Sequence, residues 1–66
     1  MKELIGKVVS FNDYSGRIMV DDVEYLLLDN NIVSGEVICN NDMVSFIPEE
    51  MNGFLIARFV KKVVNK

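Results

Sequence analysis

The chain has no histidine and no tryptophan, and it carries a single cysteine, Cys39, and a single proline, Pro48. Without histidine and with one thiol, there is no spacing of side chains suited to a transition-metal ion. The same lack removes the commonest general base, and no Ser or Cys stands beside another candidate base. There is no Gly-rich phosphate loop. The paired acids Asp21-Asp22 and Glu49-Glu50 fall in turn segments and read as solvated. The expectation is a protein that is not an enzyme, with no catalytic residue, no cofactor and no metal. A lone cysteine excludes an internal disulfide and suits a reducing cytoplasm, where Cys39 acts as a small apolar filler. Long apolar runs are also missing. No stretch approaches the ~18 residues of a membrane span, and Glu3 and Lys7 interrupt the opening segment, unlike a secretory signal. Cytoplasmic localisation, away from membranes, is the expectation. Positive charge is in deficit. The net charge of −3 argues against a strong, sequence-blind polyanion binder but leaves room for a local basic patch.

What the chain does have is apolar residues, half of its 66. That is enough for one folded domain over residues 1–66, although a chain this short buries only about 60% of its unfolded surface. The apolar residues come in short β-rich runs between turn residues. "LIGKVVSF" (4–11) reads as a first strand, with Gly6 a bulge or close-approach point. "SG" (15, 16) marks a turn. "RIMV" (17–20) and "EYLLL" (24–28) follow, joined by Asp21-Asp22. Residues 29–42 form a long polar connection. "MVSFI" (43–47) is a fourth strand ended by Pro48, and Asn52-Gly53 is a hairpin signal leading into "FLIARFVKKV" (54–63). Phe46, Phe54 and Phe59 are expected in the core or at its rim. Five short strands leave two sheet edges unless they close. The expected fold is all-β, a five-stranded antiparallel barrel of the OB type.

"GKVVSFND" followed by "SGRIMV" resembles the opening of the cold-shock domain, which reads roughly G-K-V-K-W-F-N and then K-G-F-G-F-I. Gly6, Lys7, Val8, Phe11, Asn12 and Gly16 match. "NNDMVSFIPEEMNGFLIARFV" resembles the family's ending, with Val44, Phe46, Gly53, Ala57 and Phe59 in its apolar and Gly slots. The resemblance covers nearly the whole chain, and its strength lies in the joint spacing of common residue types. It implies a small OB barrel that binds single-stranded DNA or RNA by stacking bases on rings of the second and third strands.

Carried over position by position, the rings are mostly gone. The family's Trp falls on Ser10, its two Phe on Arg17 and Met19, its Lys on Ser15 and its second Gly on Ile18. In the third strand Tyr25 can stand for a Phe, while Leu27 and Leu28 replace a His and a Phe. At roughly 1–3 kcal/mol per stacked base, the loss is on the order of 3–9 kcal/mol, although the guanidinium of Arg17 can itself stack and pair with phosphate. The implied site is Lys7, Phe11, Tyr14, Arg17, Met19, Tyr25 and Leu27. The register of the third strand bears on it. A two-residue turn at Asp21-Asp22 pairs Val20 with Val23 and sends Tyr25 inward; a three-residue turn sends Tyr25 and Leu27 outward, the arrangement favoured by the resemblance. The other basic residues, Arg58, Lys61, Lys62 and Lys66, do not form one face. Two readings follow. One is a weak or altered single-stranded RNA or DNA binder. The other is a protein-interaction or self-association module that presents an aliphatic face at Met19 and Leu27 to a protein partner or a second copy.

Overall fold

The computed structural model describes residues 2–63; Lys66 lies outside the described residues. The strands are β1 (Leu4–Phe11), β2 (Ser15–Val20), β3 (Val23–Leu28), β4 (Met43–Met51) and β5 (Phe54–Lys62), with a 3-10 turn at Asp29–Asn31. They form a closed barrel in the order β1-β2-β3-β5-β4, completed where β4 pairs with β1. This is the five-stranded, OB-like barrel expected, with one correction. The sheet is mixed, because β3 and β5 run parallel at Leu26 against Ile56 and Leu27 against Ala57. The chain crosses the barrel end after β3, and the β4–β5 hairpin then returns β5 in the direction of β3. A hairpin alone cannot deliver that pairing.

Val8, Ile18, Leu27, Ile38, Val44, Phe46, Ala57 and Val60 are the buried apolar residues. They come from every strand, and the period-2 alternation puts one face of each strand inside. Ile38 comes from the polar connection, which packs onto the barrel rather than looping free. Ile32 bridges Val60, and the Lys62 N–H donates to Glu36 Oε1 at 2.7 Å.

Two glycines are required by close approach. A Cβ on Gly16 would sit 2.0 Å from the Ser10 carbonyl oxygen, and one on Gly6 would sit 2.7 Å from the side chains of Ile18 and Val20. Gly6 is therefore the expected close-approach point, while the bulge in β1 lies further on. Val8 pairs with Ile18 and Ser10 with Arg17, so Val9 is the extra residue. Bulges re-aim the side chains that follow. Here Ser10 joins the outer face and Phe11 packs inward against the core.

Two boundaries and the burial of one ring differ from expectation. "SG" lies inside β2. The turn before it is made by Asn12, whose Oδ1 accepts from the N–H groups of Tyr14 and Ser15 at 2.9 and 3.0 Å, a local side-chain bond that competes with the ladder. Pro48 does not end β4, which runs to Met51. The β1 pairing stops at Phe46, so Pro48 has a β neighbour on one side only, opposite Ala57. A residue without an N–H is tolerated there. Phe59 is not in the core. A bulge opposite Phe46 places Phe59 at φ 54° and 60% exposed, and Val60 takes the inward slot.

Candidate nucleic-acid interface

The outer face of β1, β2 and β3 is set by register. Across β1–β2, Lys7 pairs with Met19 and Ser10 with Arg17; across β2–β3, Arg17 pairs with Leu26, Met19 with Glu24 and Val20 with Val23. The Val20–Val23 pair defines a two-residue turn at Asp21-Asp22, with Asp21 in the left-handed region at φ 55°. This decides the third strand against the arrangement favoured by the resemblance. Tyr25 points inward, its ring centroid 5.0 Å from that of Phe46 and tilted by 57°. Leu27 is fully buried. Neither belongs to an outer site, and Leu27 cannot present a partner face. Glu24, Leu26 and Leu28 take the outer positions instead. The physical reason is core volume: a barrel with only Phe46 as a buried ring needs Tyr25 and Leu27 to fill it.

Phe11 is also displaced from the expected site. It packs against the core and borders a separate groove formed with Asn12, Ile32, Ile38 and Asn40 at the end of the barrel. Its N–H donates to Asn40 Oδ1 at 2.8 Å. Tyr14 is 79% exposed and shares a shallow groove with Leu28, which lies on the outer row with Leu26. Tyr14 therefore stands at one end of the outer face. Of the seven expected residues, Lys7, Arg17 and Met19 come together on that face, Tyr14 borders it, and Phe11, Tyr25 and Leu27 do not reach it.

A ring expected in the core or at its rim arrives from β5. Phe54, 66% exposed, lines a groove with Arg17, Glu24, Leu26, Gly53 and Leu55. The parallel pairing of Leu26 with Ile56 brings the start of β5 alongside β3, and the Asn52-Gly53 turn, both residues at positive φ, ends at the ring. The signal in the sequence was the hairpin: a ring directly after a tight turn sits where strand alternation has no core left to bury it.

Arg17 is held across three strands. Its Nε donates to Ser10 Oγ at 3.4 Å, and its Nη1 to Glu24 Oε2 at 3.3 Å. Both members of the ion pair are about half exposed, so the pair adds little to stability but ties the Arg17 side chain to its neighbours on β1 and β3. Lys7 makes no ion pair among the described residues and is exposed. Elsewhere Arg58 donates to Glu49 and lies 5.7 Å from the Phe59 ring centre. Lys62 pairs with Asp42 at 3.4 Å. The Asp42 carboxyl is lowered from its ordinary value, chiefly by the Cys39 N–H it accepts and then by Lys62.

Compared with known proteins, the chain matches no family model and no curated protein.

Proposed function

We propose that the barrel is a single-stranded nucleic-acid-binding module of modest affinity, acting as a binder and not as an enzyme, through the outer face of β1, β2, β3 and the start of β5. One observation carries this reading: Arg17, Leu26 and the exposed ring of Phe54 line a single open groove. A flat ring beside a guanidinium is chemistry that takes a base, since every base has a π-face and stacking is tolerant of sequence. Lys7 adds a free positive charge beside Met19. The sequence resemblance to cold-shock domains supports the same reading, with the stacking ring moved from the second strand to the β4–β5 hairpin. One ring in place of several, together with an acidic balance, implies weak binding.

The test is an NMR titration of labelled protein with a short mixed single-stranded oligonucleotide at low salt. Saturating shifts of the amides of Arg17, Leu26 and Phe54 support the reading; no shift at millimolar oligonucleotide ends it. Phe54→Ala should then weaken binding about tenfold, one stacked base being worth roughly 1–3 kcal/mol.

A second reading has its own observation. Leu26 and Phe54 line one groove, Met19 lies on the same face opposite Glu24, and Glu24 neutralises Arg17 there. Apolar side chains on one face of so small a domain also suit a protein partner or a second copy. Concentration-dependent sedimentation, insensitive to salt, would favour it.

A further inference from the structure

A carboxylate in the middle of a phosphate-binding face is out of place, and Glu24 occupies that position. It lies in the same groove as Arg17, Leu26 and Phe54, and only its Oε2 is engaged by Arg17 among the described residues. Arg17 in turn uses Nε and Nη1 and has no partner for Nη2 among the described residues. The groove therefore offers an apolar floor, Phe54 and Leu26, with a donor and an acceptor side by side at its edge. A phosphate would be repelled by that edge. The edge of a base would not.

We infer that this groove selects guanine in a single-stranded ligand, with Phe54 and Leu26 under the base, Glu24 accepting from its Watson–Crick edge and Arg17 donating to it. The inference rests on the nucleic-acid reading of the same face. The four bases differ in what they present. Guanine offers two adjacent donors, N1–H and N2–H, to the two oxygens of one carboxylate, and beside them the O6 acceptor for a guanidinium. Cytosine offers one donor and two acceptors, adenine one donor and one acceptor. Thymine and uracil place an acceptor on each side of their single donor, so a carboxylate there meets an oxygen whichever way it turns. Single-stranded ligands expose these edges because their bases are unpaired. Guanine alone satisfies both carboxylate oxygens and the arginine together.

The experiment uses fluorescein-labelled heptathymidylate and three relatives in which the central nucleotide is dG, dC or dA, titrated by anisotropy at low salt with the intact chain and with Glu24→Gln. Glu24 is exposed, so the variant should fold, and its melting temperature is measured alongside. The dG oligonucleotide is expected to bind roughly tenfold more tightly than heptathymidylate, the range a bidentate contact gives. Glu24→Gln should abolish that advantage, because its amide turns an N–H toward the guanine donors, so that the ratio of dG to heptathymidylate affinity falls to about one. Equal binding of all four oligonucleotides overturns the inference and leaves the nucleic-acid reading standing. A guanine preference that survives Glu24→Gln also overturns it, since guanine would then be read elsewhere. Binding of none of the four overturns the nucleic-acid reading and the inference with it.

Discussion

The rings of Tyr25 and Phe46 face each other inside the barrel with centroids 5.0 Å apart. That contact is the reason β3 shows Glu24, Leu26 and Leu28 to the outside. A tilted pair at this distance adds about 0.5–1.5 kcal/mol beyond the area it buries. Tyr25→Ala should therefore destabilise the fold by about 2–4 kcal/mol, and Phe46→Ala by about 3–5 kcal/mol, which for so small a domain leaves much of the chain unfolded. Urea unfolding measures both. The folded fraction of Tyr25→Ala should bind an oligonucleotide as well as the parent does. A loss of affinity without a loss of stability would place Tyr25 on the binding face and contradict the register described.

Gly16 and Gly53 test two different demands on glycine. At Gly16 a Cβ would meet the Ser10 backbone oxygen at 2.0 Å, so the backbone itself would have to shift. Gly16→Ala should cost about 3 kcal/mol or more, the upper end of overpacking. Gly53 has open space around it but sits at φ +85°, so Gly53→Ala should cost only about 1–2 kcal/mol of backbone strain. Chemical denaturation of the two variants, compared side by side, checks the ranking. A milder effect at Gly16 than at Gly53 would refute the close packing of β1 on β2.

Stability should depend on pH through Asp42. Its carboxyl is lowered from 3.8 in the folded protein, first by the Cys39 N–H and then by Lys62. A carboxyl whose folded value is depressed contributes stability above its unfolded value and loses that contribution as pH falls through the folded value. Asp42→Asn should lower the melting temperature at neutral pH, and the gap to the parent should close as pH drops below 3.8. Melting curves across that range measure it. A gap that persists undiminished in acid would mean that the charge of Asp42 is not what stabilises the Cys39–Asp42 turn.

Salt separates the two functional readings. With Lys7 as the phosphate contact, Arg17 being paired with Glu24 and turned to the base, the slope of log K against log salt for a single strand should be about −0.7. Lys7→Ala should remove most of that slope. A slope near zero would identify apolar association. Because Lys7 is exposed on the outer face, its removal should leave the unfolding curve unchanged.

The sequence by itself determined the number of strands, the closed barrel and the place of Phe46 in the core. Alternating apolar residues in five short runs have few ways to bury one face and leave no open edge, and the Asn52-Gly53 hairpin follows from two residues that accept positive φ. Lys7, Arg17 and Met19 were legible as a common outer group through the resemblance of the first two strands to the cold-shock domain. Only the tertiary structure decided which face Tyr25 and Leu27 take, because a slip of one residue at Asp21-Asp22 exchanges the faces at no local cost. It also decided the two bulges, at Val9 and at Phe59, each adding a residue that no alternation pattern records. They turn Phe11 inward and Phe59 outward. The parallel pairing of β3 with β5 is a contact between segments distant in the chain, and it is what sets Phe54 beside Arg17 and makes the groove. Period and turn chemistry are local and can be read from neighbouring residues. Register, bulges and long-range pairing are settled by filling one small core, which no single segment contains.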